Sequence, residues 1–139
     1  MAGIVSGGGM RTMLGFGFDE TNLAASATNS PMSGLGASTQ GDLVPFPFSI
    51  VAISAVGNAD VTQGSVTFEA TLDGAGTGLT AVINTTNPRQ KATTQAAGLD
   101  SATSGRVGAR FTSSTDFLPT GSTEYEVYVF VLADMSGVQ

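Results

Sequence analysis

The clearest structural signal in the sequence lies in residues 64–84, which read GSVTFEATLDGAGTGLTAVIN. Over residues 66–73 apolar side chains alternate with polar ones, and this period of two predicts a strand with one buried face and one wet face. The glycine-rich stretch 73–78 begins with Asp73-Gly74, a pair that favours a turn with positive φ. Residues 79–84 are apolar again, so the whole stretch predicts a β-hairpin.

Two further segments are apolar on more than one face. Residues 46–56 are rich in β-branched and aromatic side chains, which predicts a central or interface strand. Residues 123–133 predict the last strand, with the odd-numbered side chains from Tyr125 to Val131 on one face. The other face of this strand becomes apolar from Tyr128 onward, so it is expected to be buried toward its C-terminal end.

Two more strands complete the predicted set. Residues 106–112 alternate, with Val107, Ala109 and Phe111 inward, and residues 89–97 predict an edge strand protected by Arg89 and Lys91. Short strands with turn signals between them are typical of an all-β sandwich or barrel. Because one sheet cannot bury both faces of the two-sided strands, the prediction is a single β-sandwich that is jelly-roll-like. An immunoglobulin-like strand order remains open.

Residues 1–44 differ in composition and are predicted to be an extended N-terminal arm, with the β-sandwich domain at 45–139. The arm holds 9 of the 19 glycines, and its apolar side chains follow neither a helix nor a strand period over a useful length. Apolar anchors in a glycine-rich strip are typical of an arm that binds another subunit. The predicted partner-binding residues are Met10, Met13, Leu14, Phe16, Phe18, Leu23, Phe46, Phe48, Tyr128 and Phe130.

The composition excludes several classes of function. The chain has no Cys and no His, which removes thiolate and histidine catalysis and most transition-metal sites, so no cofactor, no metal and no enzymatic activity are expected. A net charge of −6 with 5 basic residues argues against nucleic acid as a partner. The first charged residue, Arg11, follows a glycine cluster, and proline interrupts the longest strongly apolar stretch without charge, 43–59, so neither a secretory signal nor a membrane partner is expected.

The remaining candidates for chemistry are few. Loop carboxylates at Asp73, Asp100 and Asp116 lack the dense spacing of known calcium motifs. Arg106 and Arg110 share one strand face and are expected to pair with acids across strands. Paired acids such as Glu124 and Glu126 are typical of a wet sheet face rather than of a hydrolase.

From Gly64 to Val131 the chain resembles, in texture, the small β-sandwich modules of tailed-phage virion proteins. The segments that carry the resemblance are GSVTFEATLDGAGTGLTAVINTTN, KATTQAAGLDSATSGRVGARFTSS and the aromatic, valine-rich last strand. The resemblance implies a capsid decoration (cement) protein on the surface of a bacteriophage virion. It implies binding to the major capsid protein, and self-association as a homotrimer.

One alternative comes from a different class. The same module occurs in tail and fibre proteins that bind carbohydrate or a receptor, in which case loops 57–63, 98–105 and 113–122 would form the site. Sugar-binding sites favour exposed rings, and the aromatic residues nearest these loops are Phe111 and Phe117. This reading therefore has less support in the sequence than an adhesive role on the capsid.

Overall fold

In a computed structural model of the chain, the structure describes residues 11–34, 41–119 and 123–136. No helix in these ranges is long and apolar enough to cross a membrane. The strands are β1 (Arg11–Thr21), β2 (Ser30–Pro31), β3 (Ser33–Gly34), β4 (Asp42–Val44), β5 (Phe48–Gly57), β6 (Val61–Gln63), β7 (Ser65–Leu72), β8 (Ala75–Asn84), β9 (Gln90–Thr94), β10 (Ser101–Ala102), β11 (Gly105–Ser113), β12 (Leu118–Pro119) and β13 (Glu124–Asp134).

Two antiparallel sheets pack face to face. The first sheet has the order β3-β1-β13-β5, and both β9 and β10 pair with the far edge of β5. The second has the order β8-β7-β11, and both β2 and β4 pair with the far edge of β11. A short ribbon of β6 and β12 lies beside them. The prediction of an all-β sandwich is confirmed.

The inner faces of the two sheets form one hydrophobic core. Phe68 of β7 lies at its centre, with its ring centroid 5.3 Å from that of Tyr125 and 6.4 Å from that of Phe111. The odd-numbered side chains of β13 from Tyr125 to Val131 are all fully buried, as their alternation predicts. The core therefore joins residues from both ends of the chain.

The predicted hairpin is β7 and β8, and its turn is shorter than the glycine-rich stretch suggests. Asp73 and Gly74 have φ of +52° and +85°, and β8 begins at Ala75. Positive φ at both central residues defines a type I′ turn, whose twist matches that of the flanking strands. The other glycines of the stretch lie within β8, beside an irregularity in the ladder between Glu69 and Thr71.

The predicted boundary at residue 44 is wrong for the described part of the arm. β1 pairs with β13 along its whole length, from Arg11 opposite Asp134 to Thr21 opposite Glu124. Leu23 and Met32 are also buried in the core, so residues 11–34 belong to the sandwich. Residues 1–10 and 35–40, which contain the predicted anchor Met10, lie outside the described ranges.

The boundary prediction is wrong because glycines conceal the period of two in β1. Leu14, Phe16 and Phe18 occupy alternate positions and face the core, whereas Gly15 and Gly17 occupy the outward positions between them. Glycine at outward positions gives the segment the composition of a flexible arm. Its apolar side chains nevertheless follow the alternation of a strand with one buried face.

The edge strand predicted at 89–97 is β9, which among the described strands pairs only with β5. Lys91 lies opposite Ala55, a fully buried residue of β5. This register places a charged residue at a core-facing position of the edge strand, a device that discourages further strand pairing.

Candidate docking surface

The outward side of the first sheet is apolar, which is unusual for a surface. We define the apolar face as Met13, Gly15 and Gly17 of β1, Tyr128, Phe130 and Leu132 of β13, and Ala52, Ser54 and Val56 of β5. Their registers place them side by side on the side of the sheet opposite the core. Met13 is 56% exposed, Val56 47% and Tyr128 43%. Contiguous exposed apolar side chains of this kind mark interaction sites.

The centre of the apolar face is a pair of stacked rings over two glycines. The Tyr128 and Phe130 ring centroids are 6.3 Å apart, with 27° between the ring planes. Each ring covers the glycine directly across the ladder, because a Cβ at Gly17 would lie 3.0 Å from Tyr128 Cε1 and one at Gly15 would lie 3.1 Å from Phe130 Cε1. Aromatic side chains that cover cross-strand glycines support β pairing. The rings therefore lie against the sheet.

The outward side of the second sheet has the opposite character. Its central strands present Thr67 and Glu69 of β7 beside Arg110 and Thr112 of β11. Arg110 forms an ion pair with Glu69 at 2.8 Å, which confirms the predicted cross-strand pairing for this arginine. Arg106 donates its backbone N–H to Asp73 Oδ1 at 2.8 Å. Among the described residues, the central strands of the second sheet therefore present a polar outer surface, unlike those of the first sheet.

One end of the apolar face is acidic. Asp19 of β1 and Glu126 of β13 are directly opposite each other in the ladder and point outward. With Gly17 and the Tyr128 ring they line a notch of about 80 Å³, which we call the acidic notch. Burial, and secondarily the charge of Asp19, raises the pKa of the neighbouring Glu20 carboxyl above its ordinary value.

The predicted partner-binding residues fall into two groups. Met13, Tyr128 and Phe130 lie on the apolar face, and they remain candidates for partner contact. The others in the described ranges were predicted wrongly as surface anchors, because they face or contact the core: Leu14, Phe16 and Phe46 are partly buried against it, and Phe18, Leu23 and Phe48 are buried within it.

Sequence reasoning missed other members of the apolar face. The sequence predicts Leu132 and Val56 only as parts of two-sided apolar strands. It predicts Gly15 and Gly17 as parts of an extended arm. The signal that would have found them is the alternation of glycine with Leu14, Phe16 and Phe18, since the residues between inward side chains must face outward.

The residues considered for calcium or sugar binding are hydrogen-bonded within the chain or buried. The loop carboxylates Asp73, Asp100 and Asp116 accept hydrogen bonds from Arg106, Gln95 and Ser114 respectively. Within the described ranges, no three Asp or Glu side chains come together as a possible metal site. Phe111 and Phe117 are buried, so they offer no exposed ring to a sugar.

No protein-family model matches the chain, and no curated protein sequence matches it. Among solved structures, the chain is similar to one in the cyanophage Pam1 capsid asymmetric unit, with a TM-score of 0.53 and 8% identity over 88% of this chain and 86% of that chain. A chain in the acid-stable capsid of Helicobacter pylori bacteriophage KHP30 has a TM-score of 0.46 and 12% identity over 90% of this chain and 94% of that chain. The Pam1 comparison shows a shared fold over nearly the whole of both chains.

Proposed function

We propose that the chain is a non-enzymatic structural protein of a bacteriophage virion. It decorates the capsid surface, binds the major capsid protein and stabilises the shell through apolar contacts. The observation that carries the proposal is the Pam1 comparison, in which the similarity covers 86% of the capsid chain. In the Pam1 capsid a chain of about this size is therefore a constituent in its own right, rather than a small part of a longer chain, and this supports the same role for the present chain.

The apolar face supports an adhesive mechanism. Full burial of a large apolar side chain contributes ~1.5–3 kcal/mol. The five side chains of the apolar face that are larger than alanine and serine are already about half covered or more, so a partner would add roughly 4–7 kcal/mol in total. That gain is comparable with the ~4–15 kcal/mol of free energy that association costs through lost translational and rotational freedom. One copy alone would therefore bind weakly, which favours attachment through several linked copies. The homotrimer remains a prediction consistent with this requirement.

The charge distribution favours a protein partner over nucleic acid. The chain carries a net charge of −6, and two of its 5 basic residues, Arg89 and Arg110, form ion pairs with acids of the same chain. Binding to a phosphate backbone requires clustered, available cations. The exposed aromatic and aliphatic side chains of the apolar face instead match the core of a protein–protein interface.

The test compares phage particles made with and without the gene for this chain. We expect wild-type particles to contain the protein, deletion particles to lose DNA at a lower temperature, and added purified protein to restore their heat resistance. Particle-bound protein should survive a rise from ~50 to ~200 mM salt, because apolar contacts are little screened. Deletion particles with full heat resistance but failed host attachment would instead support the tail or fibre role.

A further inference from the structure

The acidic notch holds two like charges in direct opposition. Asp19 and Glu126 form one cross-strand pair on the outward face of β1 and β13. Like charges directly opposite each other destabilise a sheet. The other charged pair in this ladder is Arg11 with Asp134, at the far end of the strands, so opposite charges are placed together there but not at the notch.

The cations of the chain are placed elsewhere. Arg89 forms an ion pair with Asp60, and Arg110 with Glu69 on the second sheet. Arg106 donates its backbone N–H to Asp73 next to the β7–β8 turn, and Lys91 lies on the edge strand β9. Neither Asp19 nor Glu126 is a partner in an ion pair formed by the described residues.

The notch also has a shape that suits a cation. Gly17 and the Tyr128 ring that covers it line a space of about 80 Å³ beside the two carboxylates, and the ring forms one wall. A Lys or Arg side chain in this space would contact two carboxylates and the face or edge of an aromatic ring. Such a ring attracts a cation within about 6 Å of its centroid.

The outer surface of the first sheet is large enough for a specific contact. β1 and β13 pair over eleven positions, from Arg11 to Thr21. At ~3.3 Å per residue and ~4.8 Å per strand, β1, β13, β5 and β9 together present roughly 600 Å², of which the apolar face at the centre accounts for roughly 240 Å². A standard interface buries ~800 Å² per partner, so the apolar face together with the surrounding outer surface of the sheet approaches that size.

We propose that the apolar face docks on a protein surface of the capsid shell that presents a Lys or Arg flanked by apolar side chains, and that this cation enters the acidic notch between Asp19 and Glu126. The inference rests on the proposed function and specifies its contact surface. The charge complementarity gives the notch two opposite effects. Its carboxylates repel each other in the free protein, and they stabilise the complex once the partner's cation lies between them.

The test measures both effects on one variant, Glu126→Gln, which removes the charge while keeping the shape. We expect the Tm of the isolated protein to rise by ~1–4 °C, because the like-charge repulsion is removed. We expect its Kd for deletion particles to increase by about tenfold, because a charge-assisted contact is lost. Asp19→Asn should show the same two changes.

The matched control is Glu124→Gln, which alters the net charge equally on the same strand but lies opposite Thr21. It should change both quantities much less. If wild type binds particles and Glu126→Gln binds equally well or more tightly, the notch proposal is wrong while the capsid function stands. If wild type does not bind particles, the proposed function itself fails. If Glu126→Gln changes the oligomeric state in sedimentation but not particle affinity, the face contacts another copy and the proposal is overturned.

Discussion

Replacing Phe18 with Ala tests whether β1 is part of the sandwich or a detachable arm. The Phe18 side chain is 2% exposed and lies within the core. Truncation of a buried Phe costs ~3–5 kcal/mol, because apolar burial is lost and a cavity remains. Against a total stability of ~5–15 kcal/mol, this is a large fraction, and it corresponds to a Tm lower by on the order of 10 °C.

Met13→Ala is the matched control, because Met13 lies on the same strand but points outward and is 56% exposed. A surface truncation of this kind changes stability by less than ~0.5 kcal/mol. The assay is urea unfolding of the isolated protein, followed by far-UV circular dichroism at equal concentrations. If Phe18→Ala and Met13→Ala were equally stable, β1 would not pack in the core and the account of the fold would be refuted.

Three other substitutions probe particular features by the same unfolding assay. Tyr125→Phe should leave stability unchanged or raise it by up to ~1–2 kcal/mol, because the buried hydroxyl has no hydrogen-bond partner among the described residues; a clear loss would reveal such a partner. Gly74→Ala should cost ~1 kcal/mol, because Gly74 has a φ of +85°, and Gly74→Asn should cost less. Burial, with a smaller effect of the Asp19 charge, raises the pKa of Glu20. The ionised form of Glu20 therefore destabilises the fold at neutral pH, and this destabilisation disappears as the pH falls through the raised pKa. Glu20→Gln should therefore be more stable than wild type at about pH 7, and the difference in unfolding free energy should shrink toward about pH 4. A difference that stays the same at both pH values would show that ionised Glu20 does not destabilise the fold.

The strands that the sequence predicts well are those whose outward residues are polar. In β7 and in the first half of β13, threonine and glutamate alternate with buried side chains, so both faces are visible locally. In β1 the outward residues are Gly15 and Gly17, and glycine has little local preference for a strand. What makes them suitable is the pair of rings on β13, at the other end of the chain, and local sequence does not contain that information.

The candidate site was predictable only in part for the same reason. Tyr128 and Phe130 were identified because they make one face of the last strand apolar. The opposition of Asp19 and Glu126 depends on the register between two strands from opposite ends of the chain, and a period-two pattern does not specify that register. The assignment of Phe18 and Phe48 to the surface failed because composition cannot distinguish an apolar anchor from a core residue.

The proposed function requires this sandwich to sit on a phage capsid with its apolar face against the shell. The most direct measurement is a cryo-EM map of the phage particle that carries this gene. We predict density for the sandwich on the outside of the shell, with Tyr128 and Phe130 facing a capsid subunit and a basic side chain of that subunit between Asp19 and Glu126. A map with the protein absent from the shell, or with the apolar face turned toward solvent, would contradict the account.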